Sequence, residues 1–221
     1  MRNFEEIFAI AADRKGGASA LEALLSDPLS PEALGQTTND RWLETMAKCL
    51  FQAGFNWRVI DAKWRGMVEA FDGFDPSRVG AYHDEDIDRL LSDQRIVRNG
   101  AKVMAVIDNA HFVQELAAES GSAGQFFANW PAETYVDLLA LMTKRGARLG
   151  AVTGQRVLRS MGKDGFILST DVVARLVGEG VVDKTPTSKR DLAAVQQAFN
   201  SWSEQSGRGL TQISQVLAFS V

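Results

Sequence analysis

Met142-Thr-Lys-Arg-Gly-Ala-Arg-Leu-Gly-Ala-Val-Thr-Gly154-Gln-Arg-Val-Leu-Arg-Ser-Met-Gly-Lys163 is the most informative stretch of this chain. It carries Lys144, Arg145, Arg148, Arg156, Arg159 and Lys163 and no acidic residue, and Gly146, Gly150 and Gly154 sit between two helical patterns. The pattern predicts a basic, glycine-punctuated hairpin between helices over 142–163. Glycine lets the backbone adopt positive φ and approach a ligand closely. The N-terminus of the following helix would offer unpaired N–H groups to an anion, and flanking arginines would attract phosphate. Gly146, Arg148, Gly150, Gly154 and Arg156 are therefore candidate contacts to a nucleic-acid backbone. Taken alone, the segment fits a plainer description better: a solvated basic loop with glycines as helix stops.

Outward from the hairpin, helical periodicity dominates. Phe4, Ile7, Phe8 and Ala11 share one face, and Leu21, Leu24 and Leu25 suggest a second helix. Asn39 is placed to cap a third, with Trp42, Leu43, Met46 and Leu50 on its apolar side. Val59, Trp64, Val68 and Phe71 suggest a fourth, ending near Gly73. Asp75-Pro76 and the acidic segment Asp84 to Asp88 open two short helices. A long helix is expected from Gly100 to Glu119, and another after Pro131 with Leu138, Leu139 and Met142 inward. Beyond the hairpin, helices are expected near 155–161, 171–178, 188–205 and 210–219. Gly16-Gly17 and Gly121–Gly124 are taken as loops. No period-2 strand stands between turn signals, and no repeat appears. The expectation is one all-α domain over residues 1–221, with about ten helices.

Composition narrows the classes. Apolar residues at 45% and charged residues at 24% describe an ordinary globular chain. No apolar run approaches the roughly 18–20 residues of a membrane span. Glu5 and Glu6 fall where a signal peptide would carry positive charge, which suggests a first helix and a cytoplasmic address. Cys49 is the single cysteine, so no internal disulfide forms. With only His83 and His111 beside it, the chain cannot supply a Cys/His-rich zinc site or an iron–sulfur cluster. A net charge of −4 makes any nucleic-acid role depend on where the charges sit.

A family resemblance enters at Phe51-Gln-Ala-Gly-Phe-Asn-Trp57. This stretch is similar to the Q-A-G-x-[SN]-W signature of the DNA-3-methyladenine glycosylase I family. The likeness continues through Phe74-Asp-Pro-Ser-Arg-Val79, Asp84-Glu-Asp-Ile-Asp-Arg-Leu-Leu91, Ile96-Val-Arg-Asn-Gly-Ala-Lys102 and Val106-Ile-Asp-Asn-Ala110, and loosens towards Lys144-Arg-Gly146. The resemblance implies a helix-hairpin-helix DNA glycosylase fold in two lobes around a cleft. It also implies a bacterial monomer that hydrolyses the N-glycosidic bond of alkylated purines, 3-methyladenine foremost, in double-stranded DNA, without a cofactor or a membrane partner. An N3-alkylated adenine is cationic and a good leaving group, so the enzyme need only flip the nucleotide, recognise the base and admit water. Trp57 occupies the place of the tryptophan that stacks on the base, and an electron-rich face suits a cationic ring; the competing description is a core tryptophan. Gln52 either bonds the base or steadies the Gly54 turn. With Cys49 and Phe51, these residues make up the expected base pocket.

The chain departs from that family at three places. Eight residues before Trp57, where the family carries a glutamate that reads the base, stands Cys49. The cysteines and histidines of the family's zinc clasp are missing, and Asp171 occupies a ligand position, so folding without metal is expected. The helices at 188–205 and 210–219 are expected to tie the termini instead. The stretch Thr170-Asp171-Val-Val-Ala-Arg175 carries its acid one residue away from the superfamily's catalytic aspartate, so Asp171 suits a helix N-cap better than a catalyst. Lys63 and Lys102 lie away from the hairpin and argue against a lyase. The missing glutamate motivates an alternative, a non-catalytic module for damaged or structured DNA. A third possibility is an all-α protein-interaction domain.

Overall fold

The computed structural model describes residues 1–221, the side chain of residue 151 excepted. Among the described residues the regular elements are α-helices and two 3-10 turns, with no strand. In order they are α1 (Phe4–Lys15), α2 (Ala18–Glu22), α3 (Pro31–Gly35), α4 (Asn39–Gln52), α5 (Trp57–Ala70), α6 (Pro76–Val79) and α7 (Asp84–Ser92). Then come α8 (Gly100–Ser120), α9 (Ala123–Asn129), α10 (Tyr135–Arg145), α11 (Ala151–Ser160), α12 (Thr170–Gly178), α13 (Lys189–Ser206) and α14 (Leu210–Phe219). Two of them, α3 and α9, have no counterpart among the expected helices; five and seven residues are too few to display a 3.6-residue period. No helix among the described residues is long and apolar enough to cross a membrane.

Helix boundaries follow local chemistry. Asn3 and Glu6 close a capping box at the start of α1, and Gly16 ends it in the left-handed region. Asp75 accepts from the Ser77 and Arg78 amides ahead of α6, and Asn99 caps α8. Two expectations are corrected. Asn39 does not cap α4; it is that helix's first residue, and its Oδ1 accepts from the Ala123 amide at 2.9 Å, the first amide of α9. Gly124 is not in a loop but inside α9, buried; a Cβ there would lie 2.6 Å from the Thr37 carbonyl oxygen, so the glycine permits close packing against the end of α3. The faces of two helices also differ from expectation. Leu24 lies beyond α2 and is half exposed, and on α5 it is Ile60 and Met67 that are buried while Val59 faces solvent.

The chain divides into two compact units. One comprises Met1–Leu29, Trp130–Leu138 and Gly162–Val221. Its core is an aromatic chain, Tyr135 edge-on to Phe166, Phe166 stacked on Phe199, and Phe199 edge-on to Trp202. Here α1 packs on α13 and α14, which together bring both termini into this unit. Packing is joined by charge. The buried Glu179 carboxylate accepts from the Arg2 amide and guanidinium and from Arg175, and Arg175 also bonds Ser220.

The second unit comprises Ser30–Asn129 and Leu139–Met161. Helix α8 is its spine, with α4, α6 and α9 laid against it. Trp42 stacks on Phe127, and Trp64, Phe74 and Phe71 form a stacked row. Trp42, Phe127, Phe71 and Phe74 are fully buried, and each such ring contributes about 1.5–3 kcal/mol. The residues of the candidate base pocket, and the hairpin from 142 to 161, belong to this unit.

Candidate functional site

The hairpin forms where expected, but its glycines act differently. Leu149 folds beneath the loop and is buried. A Cβ on Gly146 would sit 2.6 Å from the Leu149 side chain, and one on Gly154 would sit 2.4 Å from its carbonyl oxygen. Close packing around Leu149 therefore requires these two glycines. Neither they nor Gly150 adopts positive φ; the left-handed residue is Arg148, at φ 58°. A non-glycine residue pays about 1–2 kcal/mol for that conformation. The compensation is visible next door. Buried Asn109 on α8 donates to the Ala147 carbonyl at 3.0 Å and accepts from the Ala147 amide at 2.8 Å, clamping the loop at the residue before Arg148.

The basic residues of the hairpin divide by their partners. Arg145 is bound to Glu115 and Glu119, and Lys163, in the other unit, is buried and donates to the Trp130 carbonyl. Arg148 and Arg156 are exposed, as is Lys144. Gly150 precedes α11 as a cap residue with no side-chain hydrogen bond, so no side chain competes there for an anion.

The turn after α4 is built around one buried ammonium. Lys102, 7% exposed, donates to the Phe51 carbonyl at 3.0 Å and the Ala53 carbonyl at 2.9 Å. These carbonyls belong to the end of α4, where a cation is favoured. The Lys102 ammonium also lies 4.8 Å from the centre of the Phe55 ring. Burial first, then the Arg148 charge, pulls the Lys102 pKa below its ordinary value. Gly54, at φ 72°, turns the chain, and the Phe55 amide donates to the Gln52 carbonyl at 3.1 Å. Asn56 then caps α5. The outcome is two aromatic rings held out towards solvent: Phe55 is 44% exposed and Trp57, the first residue of α5, 45% exposed.

Helix α11 packs on α4 and brings the hairpin to this turn. The Arg156 guanidinium carbon lies 4.8 Å from the centre of the Trp57 ring. Cys49 is buried beneath; burial pushes its thiol pKa up, against a Ser160 hydrogen bond and the Arg156 and Lys48 charges. It is therefore a neutral thiol. Of the expected pocket residues, Trp57 and Cys49 both lie near Arg156. Phe51 is corrected: its ring is fully buried core, and what it offers the site is the carbonyl held by Lys102. Gln52 is half exposed and steadies the turn through its carbonyl.

Asp171 is exposed in the first turn of α12, in the other unit. It is not the cap expected of it; Ser169 is, accepting from the Val172 amide at 3.3 Å. The residues present do not fit a zinc clasp: among the described residues no group of three or more His, Cys, Asp or Glu could hold a metal ion. His83 is exposed beside Asp86 at the start of α7. Lys63 donates to the Gln94 carbonyl at 2.6 Å.

Lys102 and Asn109 shape this site, yet no structural role is assigned to them from sequence alone. The available signals were a lysine on an apolar helix face and an asparagine inside a helix, where it is intrinsically unfavourable.

An all-α fold with a helix-hairpin-helix defines a class, and comparison bears that fold out. The 8-oxoguanine DNA glycosylase of Methanocaldococcus jannaschii shares the fold over 96% of this chain and 89% of its own, with a TM-score of 0.53 at 14% identity. The 3-methyladenine DNA glycosylase I of Staphylococcus aureus shares it over 62% of this chain and 80% of its own, with a TM-score of 0.51 at 24% identity. The methyladenine glycosylase family model matches residues 34–182, and the chain belongs to that family. DNA-3-methyladenine glycosylase 1 of Escherichia coli is 37% identical over 75 residues, a match that spans 30% of this chain and 40% of the relative.

Proposed function

We propose that this chain is a monofunctional DNA glycosylase that hydrolyses the N-glycosidic bond of alkylated purines in double-stranded DNA, with 3-methyladenine first among them. The observation that carries this reading is Trp57, held nearly half exposed on a turn that Arg156 of the hairpin approaches. Arg148 and Arg156 would contact phosphates, Phe55 and Trp57 would meet the bases, and the flipped base would stack on Trp57 above Cys49. N3 alkylation already makes adenine a good leaving group, so stacking, extrusion and admission of water suffice. Asp171, left free of the capping that Ser169 performs, stays a candidate acid on its place in the sequence alone. Lys102 is committed to two carbonyls, which supports hydrolysis without a lysine–sugar adduct. The family and its relatives' names support this chemistry; the substrate, the monomeric state and the cytoplasmic location are our reading.

Cys49 favours a second reading, a damaged-DNA binding module that does not cut, because a buried thiol cannot accept from the base as a carboxylate does. The test is release of free base from alkylated duplex DNA, with bound DNA quantified alongside. Base release supports the enzyme. Tight binding without release supports the module, and the absence of both would refute any role on DNA.

A further inference from the structure

We propose that Arg156 is a specificity residue: it reserves the Trp57 face for a base carried on a nucleic-acid strand and keeps free bases off it. This rests on the reading of Trp57 as the base-stacking residue. The guanidinium carbon of Arg156 lies 4.8 Å from the centre of the Trp57 ring, over the surface a base would occupy. Both side chains are exposed, so the contact is not forced by core packing. Arg145, on the same hairpin, is tied down by Glu115 and Glu119. Among the described residues no carboxylate lies within ion-pair distance of Arg156. Its charge is felt by the Cys49 thiol, which burial keeps neutral. Arg156 thus has a ring for a partner where it could have had an anion.

A guanidinium on an exposed ring is weakly held, whereas a paired hydrogen bond to a phosphate is among the stronger polar contacts a protein makes. Once a strand lies along the hairpin, a phosphate can take Arg156 from Trp57 and uncover the ring. A free base brings no phosphate and must displace the guanidinium unaided. An N3-alkylated adenine still bonded to its sugar is cationic and is opposed further until Arg156 has left the ring, because the two like charges compete for the same electron-rich face. Phosphate engagement and base stacking are therefore coupled through one side chain, and the coupling runs both ways.

The experiment measures binding of free 3-methyladenine and of an abasic-site duplex to the full chain, each alone and in the presence of the other. In the wild type, the duplex should tighten 3-methyladenine binding. In Arg156→Ala the base alone should bind about 2- to 5-fold tighter, the range set by releasing an exposed cation–π contact. In the same variant the duplex should bind more weakly and no longer enhance base binding. Opposite changes for the two ligands distinguish a cover from a residue that merely supports the fold, which would weaken both. The proposal is overturned if Arg156→Ala leaves base affinity unchanged or lowers it, or if the duplex enhancement persists in the variant. If neither protein binds 3-methyladenine while both bind duplex, the base-stacking reading of Trp57 falls, and this proposal with it.

Discussion

Replacing Glu179 with glutamine tests what ties the chain's first and last residues together. The Glu179 side chain is 2% exposed and accepts from the Arg2 amide at 2.8 Å, the Arg2 guanidinium at 2.6 Å and Arg175 at 3.3 Å. Arg175 in turn bonds Ser220, so a single carboxylate joins the first residues, the end of α12 and the C-terminus. Removing one partner of a buried pair costs about 3–5 kcal/mol. Glutamine retains an acceptor for the Arg2 amide, and Arg2, half exposed, can turn to water, so the expected loss is about 2–3 kcal/mol. In a chain of this size each kcal/mol moves the melting temperature about 2–4 °C, which gives a fall of about 4–12 °C at neutral pH. The pH dependence carries a definite sign. Burial pushes the Glu179 carboxyl up, but the Arg2 amide, the Arg2 guanidinium and Arg175 outweigh it and hold the pKa below its ordinary 4.5. Its stabilisation is therefore complete above that ordinary value and is lost as pH falls through the lower, folded-state value. Thermal unfolding of wild type and variant across an acid series should show a gap that narrows at the acid end. A shift under about 1 °C at neutral pH, or a gap constant down to strong acid, would refute the clasp.

Trp57→Ala should abolish base release while the melting temperature stays nearly unchanged, whereas Trp42→Ala, in the core, should cost about 3–5 kcal/mol; melting, binding and release measured together decide. Replacing both Arg148 and Arg156 with alanine should reduce the slope of log affinity against log salt by about 1.8 on duplex DNA, two lost phosphate contacts at about 0.9 each; an unchanged slope removes the hairpin from the interface. Lys102→Met should leave the Phe51 and Ala53 carbonyls without their donor and loosen the turn. Faster amide exchange across residues 53–57, with base release falling more than duplex affinity, is the expected outcome.

Much of this was legible in the chain because it depended on local chemistry. The long α8 and the hairpin helices α10 and α11 announce themselves by periodicity, and Trp57 by a signature whose glycine the turn requires. What escaped depended on partners distant in sequence. Asn39 reads as a cap, but its acceptor serves Ala123, eighty-four positions away. Gly146 and Gly154 read as sites of conformational freedom, whereas Leu149 demands them for space. The left-handed residue falls on Arg148, a strain that only the Asn109 clamp across the unit could support. Phe51 looks like a pocket residue because it adjoins one; the phase of α4 turns it into the core.

The charge pattern resolves how a chain with a net charge of −4 can present a cationic face. Its acids are spent on other basic residues: Glu115 and Glu119 on Arg145, Asp93 and Glu69 on Arg95, and Asp86 on Arg89. Near the Trp57 turn Lys48 is paired with Asp61, but among the described residues Lys102, Arg148 and Arg156 have no carboxylate partner at ion-pair distance. The thiol at position 49 belongs to the same pattern. A carboxylate there would face the Arg156 charge that Cys49 already feels, and would draw the guanidinium towards itself and away from the ring. With a neutral thiol at 49, Trp57 becomes the arginine's resting place. On the proposed reading, the thiol at 49 and the arginine over Trp57 form one electrostatic arrangement, and a strand's phosphate would supply the negative charge that Arg156 lacks.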